Sequence, residues 1–401
     1  TIDITKREET EITDYSREID DTNWINLNNE TTNKNYQNLN AYFMNREITE
    51  KNEYTGIFED KNLIVIMLES VNEIFINPEY YPTFYKMYTE GWSFENAYSP
   101  RNSCSTGNNE MSGMVSLFSI YRTCTTNNYK NNEYFQSIFN LFNRAGYATT
   151  SYHNYTEKYY YRSKIHKNMG SGAYYGVSDL GIAYDNAYEE WPSDVLLMEK
   201  AMERIDTNNP FMAWITTVTS HQPYYTSSEM GDKHLSLFEG TGYSTSLKRY
   251  MSKLKELDLS LERLLQLLEE RGVLEDTVIV MFGDHYPYGL STSDINDALD
   301  YNVNEKNNVD KTPFVIYNSE MTGEHFEQYT SYMNIVPTVA NLFNLDYDSR
   351  YYTGEDLFSN DYNSLTVFAD SSWKNEYAFY DASNSSITYY TDKVYSKDEI
   401  L

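Results

Sequence analysis

The sequence predicts an α/β fold with a mostly parallel central sheet flanked by helices, followed by a small antiparallel β subdomain. Three observations carry this. From Asn62 onward, apolar runs of strand length alternate with segments of helical periodicity. Those runs are apolar throughout rather than at every second position, the pattern of strands buried on both faces. After about residue 346 the helical segments give way to short aromatic and β-branched stretches. The expected organisation is a polar lead-in at 1–60 that packs on the body, an α/β domain at 61–345 and a small β subdomain at 346–401.

Asn62–Leu68 is the first strand and ends on Glu69. Helical stretches follow at 81–90, 107–118 and 133–144, the last stopped by Gly146. A strand at 147–152 delivers His153, a helix covers 194–206, and a strand at 211–218 is followed by His221. The strongest helix spans 246–271. Leu247, Tyr250, Met251, Leu254, Leu257, Leu261, Leu264, Leu265 and Leu268 keep helical spacing there, and Gly272 stops it. The apolar strand 277–282 runs into Gly283-Asp284-His285, and a strand at 313–317 and a helix at 334–343 complete the alternation. Segments 365–368, 377–380 and 387–390 read as short antiparallel strands.

Composition narrows the function classes. The 60 acidic and 31 basic residues give a formal charge of -29. That argues against nucleic acid as a partner, which needs basic clusters, and against a polybasic contact with a membrane surface. Tyr (41) and Asn are abundant, which suits a solvated surface and polyol recognition. No apolar run approaches the ~20 residues of a transmembrane helix, and no signal peptide is visible. The chain starts at Thr1 without an initiator Met and reads as a soluble piece of something longer. Cys104 and Cys124 are spaced for a local disulfide in an oxidising compartment; two free buried thiols are the other reading.

Four strands end on polar groups: Glu69, His153, His221 and the pair Asp284-His285. In open α/β sheets the ligand crevice lies outside the carboxyl ends of the strands. Carboxylates and imidazoles meeting there point to a divalent metal. Any one of them alone is as well explained by a satisfied core or loop residue. A metal-assisted transfer also needs a nucleophile. The segment Pro100 to Met111 is a polar loop running into a helix, and it places Thr106 where backbone N–H groups favour a phosphate. Thr106 as an ordinary N-cap is the plainer alternative.

Together these residues resemble the extracellular catalytic domain of lipoteichoic acid synthases, of the sulfatase-like branch of the alkaline phosphatase superfamily. The resemblance covers about Asn62 to Leu345 and implies that fold. It implies one manganese ion (or another divalent metal such as Mg2+ or Zn2+) held by Glu69, Thr106, Asp284 and His285, with Tyr286 completing the Gly-Asp-His-Tyr motif. Thr106 would be the nucleophile that becomes phosphorylated, and the spacing from Thr106 to Glu110 also resembles the family's pattern. His153, Tyr160 and Arg162 would bind substrate, and either His221 or His153 would move the protons. His221, in Ser220-His221-Gln222-Pro223, would contact the phosphate or the leaving oxygen and serve catalysis. Tyr160 stands where the family has Trp and Ser105 where it has Lys, departures that bear on the donor head group. Ser103-Cys104-Ser105-Thr106 also resembles the nucleophile motif of phosphoethanolamine transferases, in which the cysteine is disulfide-bonded. The Cys/Ser-x-Pro-x-Arg signature of true sulfatases is absent near residue 104.

The resemblance implies a two-step phosphoglycerol transfer from a phosphatidylglycerol-type lipid to a glycerol phosphate polymer through a phosphothreonine. It also implies a location at the extracellular face of a bacterial cell membrane, with transmembrane helices N-terminal to this sequence. Competing readings are a phosphoethanolamine transferase, a phosphodiesterase of the same superfamily, or a catalytically silent binding domain. His166, His234 and His325 have no assigned role.

Overall fold

A computed structural model describes residues 14–120, 122–184 and 190–390. Residues 1–13 of the expected lead-in and 391–401 of the expected C-terminal subdomain lie outside the described residues.

Eight strands form the main sheet: β1 (Asn62–Leu68), β2 (Trp92–Tyr98), β3 (Ala148–His153), β4 (Ala173–Tyr175), β5 (Phe211–Thr216), β6 (Thr277–Gly283), β7 (Phe314–Tyr317) and β8 (Glu324–Ser331). Their order is β4-β3-β5-β1-β6-β7-β2-β8. β1 lies parallel to both β5 and β6, with Leu63 opposite Met212 and Val278. β7 alone runs against its two neighbours. Glu69, His153 and Asp284 therefore emerge at the same edge, as the apolar runs predict.

Alternation along β1 explains its unbroken apolar character. Ile64, Ile66 and Leu68 enter a core that includes Leu254, Leu257 and Leu261. Leu63, Val65 and Met67 enter a second core with Met114, Phe142 and Val339. Every residue of β1 is buried, because helices cover both faces. The helix Thr245–Glu270 lies on the first face. The Ser244 side chain caps its start by accepting from the Leu247 N–H at 3.1 Å. Gly272, at φ +68°, ends it, and Val273 N–H closes onto Leu268 O at 3.0 Å. Helices Ser105–Val115, Ile138–Arg144 and Ile335–Leu342 pack on the opposite face.

Several predicted boundaries move. The helix expected at 107–118 is Ser105–Val115, stopped by Ser116 in the left-handed region at φ +53°. The one expected from 133 starts at Ile138, where the Ser137 side chain caps it. The 194–206 helix ends at Met202, and the strand expected to reach 218 ends at Thr216. The short strands β9 (Leu365–Val367), β10 (Trp373–Asn375), β11 (Ala378–Asp381) and β12 (Ser386–Tyr389) form an antiparallel sheet in the order β12-β11-β10-β9. Among the described residues no helix is long and apolar enough to cross a membrane.

Candidate active site and metal centre

Glu69, Asp284 and His285 converge at the ends of adjacent strands, with ligand atoms all within 4.8 Å of one another. All three are buried. His285 Nε2 lies 3.2 Å from Asp284 Oδ2, 3.7 Å from Glu69 Oε1 and 3.1 Å from Thr106 Oγ1. Its Nδ1 faces the carbonyl of Tyr286 at 3.0 Å. A carbonyl only accepts, so Nδ1 carries the proton and Nε2 presents its lone pair to the cluster.

The carboxylates are held by their own surroundings. Asp284 Oδ1 accepts from the N–H groups of Ser70 (2.7 Å) and His285 (2.8 Å). Asp284 Oδ2 is buried and has no hydrogen-bond partner among the described residues. Glu69 Oε1 accepts from Ser70 Oγ at 2.6 Å. Burial pushes the Glu69 carboxyl well above its ordinary range, and the charge of Asp284 adds to the effect. A buried oxygen without a donor, a second carboxylate beside it and an imidazole lone pair aimed at both demand a cation. Carboxylate, hydroxyl and imidazole donors suit a divalent ion of the manganese, magnesium or zinc kind. The residues present fit the metal.

Thr106 enters from the first turn of the helix Ser105–Val115. The loop before it is fixed by the Cys104–Cys124 disulfide, so the free-thiol reading does not hold. Asn108 holds the same loop, donating to Ser103 O (2.5 Å) and Thr123 O (2.9 Å) and accepting from Thr125 N–H (2.9 Å). Asn109 donates to Asp284 O at 2.6 Å, which ties this helix to the end of β6. Gly107 is required by close approach. A Cβ there would lie 2.7 Å from Cγ of Tyr160.

A cavity of about 260 Å³ opens over Thr106 and Glu69, bordered by His153, Tyr160, Arg162, His221, Trp191 and Tyr288 among others. The structure thus brings all the sequence-predicted site residues to one place. Arg162 is buried, with Nε on Glu110 Oε2 at 2.7 Å and Nη1 on His153 Nε2 at 3.0 Å. His153 Nδ1 donates to Thr216 O at 2.8 Å. Both nitrogens of His153 are therefore engaged within the protein, and burial together with Arg162 pushes its pKa down to about 3. His221 differs. Its Nδ1 donates to Gln222 O at 2.7 Å, which leaves Nε2 as an acceptor, and burial lowers its pKa to about 4. It is neutral at pH 7.

Sequence reasoning missed Trp191, Tyr288 and Lys253. Trp191 Nε1 donates to Gln222 O at 2.7 Å, and Lys253 Nζ donates to His221 O at 2.7 Å. Lys253 had a readable signal: a lysine flanked by Met251 and Leu254 on the apolar stripe of a long helix needs a polar partner. His166, left without a role, sits buried 3.5 Å from Glu110 Oε1.

The comparisons agree with this geometry. The sulfatase family model matches residues 61–345. Lipoteichoic acid synthases of Staphylococcus saprophyticus and Staphylococcus aureus are 26% and 23% identical over 342 residues, covering 82% of this chain and 52% of each relative. The chain thus spans about half the length of the curated relatives it matches. Among solved structures, the lipoteichoic acid synthase LtaP from Listeria monocytogenes aligns at TM-score 0.74 and 21% identity, covering 90% of this chain and 93% of that one. The Streptococcus pyogenes phosphoglycerol transferase GacH, in complex with sn-glycerol-1-phosphate, aligns at 0.51 and 15%, covering 83% and 82%. At these identities the structures speak for the fold. The match to residues 61–345, over an eight-stranded sheet that gathers Glu69, Asp284 and His285 at one edge, shows that this chain belongs to the sulfatase family.

Proposed function

We propose that this chain is a metal-dependent phosphoglycerol transferase with Thr106 as nucleophile. It would move glycerol phosphate from phosphatidylglycerol to a lipoteichoic acid-type polymer through a phosphothreonine. Residues 61–345 would be the catalytic domain that carries the chemistry. The observation that carries the reading is Thr106 Oγ1 lying 3.1 Å from His285 Nε2, in the cluster that also holds Glu69 and Asp284. The names of the relatives, lipoteichoic acid synthase and phosphoglycerol transferase, support the substrate class.

A divalent ion, held by Glu69, Thr106, Asp284 and His285, would lower the pKa of the Thr106 hydroxyl and stabilise charge on phosphoryl oxygens. Arg162 binds the phosphoryl group with a guanidinium pre-aimed by Glu110 and His153. Thr106 Oγ1 forms a bond to phosphorus as the bond to the diacylglycerol oxygen breaks, and the threonine proton ends on that oxygen. A glycerol hydroxyl of the acceptor then attacks the phosphothreonine and displaces Thr106. His221, neutral and with Nε2 unprotonated, is the residue suited to take the acceptor's proton, which ends on Thr106 Oγ1 as its bond to phosphorus breaks. His153 has no lone pair to spare, so its role is to hold Arg162. The reading places the domain at the outer face of a bacterial cell membrane, where donor lipid and polymer meet.

A second reading, a phosphoethanolamine transferase, is favoured by the disulfide beside the nucleophile. Acyl-labelled phosphatidylglycerol and phosphatidylethanolamine, offered separately with manganese, distinguish the two by diacylglycerol release. Thr106→Ala and metal-free protein run alongside. Release from phosphatidylglycerol that needs both Thr106 and metal supports the first reading. Release from phosphatidylethanolamine alone supports the second. No release from either, with metal bound, points to a silent domain.

A further inference from the structure

We infer that Glu110 is a positioning residue that fixes the phosphate-binding arginine relative to the nucleophile; this rests on the transferase reading of the site. Glu110 lies one helical turn after Thr106, on the same face of the helix Ser105–Val115. Its side chain is 2% exposed. Three side chains, Thr216, Arg162 and His153, close a ring with it at the end of β5. Thr216 Oγ1 donates to Glu110 Oε1 at 2.6 Å, and Arg162 Nε donates to Glu110 Oε2 at 2.7 Å. Arg162 Nη1 donates to His153 Nε2 at 3.0 Å, and His153 Nδ1 donates back to Thr216 O at 2.8 Å. The ring starts and ends on Thr216, the last residue of β5. His166 approaches Glu110 Oε1 from outside the ring at 3.5 Å.

Each oxygen of the carboxylate has a separate task. One anchors the nucleophile helix to the tip of β5, and the other aims the guanidinium. Rotating Arg162 away from the cavity would break two of these bonds and leave a buried carboxylate without its counter-charge, a costly state. A buried ion pair of this kind is seldom better for stability than apolar packing of the same volume. Its presence beneath the cavity is therefore explained by orientation: the arginine arrives with one edge committed to the protein and the remainder left for a ligand. Among the described residues Arg162 Nη2 has no protein hydrogen-bond partner, and Arg162 borders the cavity.

The test is calorimetric binding of sn-glycerol 1-phosphate to the manganese-loaded protein, with diacylglycerol release measured in parallel. Glu110→Gln keeps the shape and removes the charge. It should weaken phosphate-ester binding by ~30-fold, the scale of one charge-assisted hydrogen bond, while manganese affinity stays within about threefold. Arg162→Ala should lose more. The double variant should lose no more than Arg162→Ala alone, because Glu110 acts only through the arginine. Added guanidinium ion should restore binding to Arg162→Ala but not to the double variant. Thr216→Val, which removes a single donor to Glu110, should give a smaller loss of the same kind and serves if Glu110→Gln fails to fold. Additive losses, or guanidinium rescue of the double variant, would overturn the assignment. Wild-type protein that binds the ester without turning over lipid would sink the transferase reading and leave the role of Glu110 standing. Wild-type protein that binds no phosphate ester would overturn both.

Discussion

Breaking the Cys104–Cys124 bond should cost stability and leave the chemistry nearly intact. The bond closes a loop with a sequence separation of 20, worth about 3 kcal/mol in the chain-entropy model. With about 2.1 cal/mol/K of unfolding entropy per residue, a chain of 401 residues loses about 4 °C in Tm for that cost. The activity expectation comes from Asn108. Its side chain bonds Ser103 O, Thr123 O and Thr125 N–H, the same two segments that the disulfide joins. Thr106 is thus tied twice. A Cys104→Ser/Cys124→Ser variant should melt about 4 °C lower and keep diacylglycerol release within about threefold of wild type. Adding Asn108→Ala should remove the second tie and drop release by ~10-fold or more. The assays are a thermal melt with manganese present and the labelled-lipid release assay well below the melt. A tenfold loss in the cysteine variant alone would refute the reasoning, because the disulfide would then be setting the nucleophile by itself.

Three further outcomes follow from the geometry. Gly107→Ala places a methyl 2.7 Å from Cγ of Tyr160; displacement of that ring should cost about 1–3 kcal/mol in a denaturant titration and raise KM for the donor with manganese affinity unchanged. Asp284→Asn removes the carboxylate whose Oδ2 lacks a donor, so the rise in Tm on adding manganese, about 2.7 kcal/mol in stability at a hundredfold excess over Kd, should vanish, and a chelator should reproduce the loss in wild-type protein; an unchanged manganese response would contradict the site. Burial pushes the Lys253 ammonium down from 10.5 to about 7. Between those values the folded state binds fewer protons than the unfolded chain, so stability rises with pH across that window, and Lys253→Met should flatten the rise in Tm measured from pH 7 to 10.

The parts of this site legible in the sequence are the ones fixed by local pattern. An apolar run with no polar interruption is a strand buried on both faces, and the residue after it must sit at the sheet edge; Glu69 and Asp284 follow from that alone, whereas His153 ends a strand, Ala148–His153, that mixes Thr and Ser with Tyr. β2 and β8 escaped because Trp92–Tyr98 and Glu324–Ser331 mix exposed polar with apolar positions near one end of the sheet, where half-exposure erases the run. Trp191 and Tyr288 sit in loops, where no period announces them.

Glu110 marks the harder limit. Its spacing from Thr106 resembles the family's pattern, but within its own helix it is one acidic residue among polar neighbours, and nothing in Ser105–Val115 says that the whole segment is buried or which residues Glu110 meets. Its partners lie at 162, 166 and 216, brought together only when β3 and β5 pair and the helix packs across the sheet. The candidate metal cluster can be read strand by strand, because Glu69 follows one strand and Asp284 and His285 follow another. The aim of the arginine cannot, because it belongs to a closed ring whose members have no common local signal. A sulfatase-family chain that kept Glu69, Thr106, Asp284 and His285 but lost Glu110 would hold its metal and still present a misdirected guanidinium to the phosphate. On the proposed reading, metal binding and phosphate-ester binding would therefore be separable, and only the second would report whether the site is built to act on a phosphodiester.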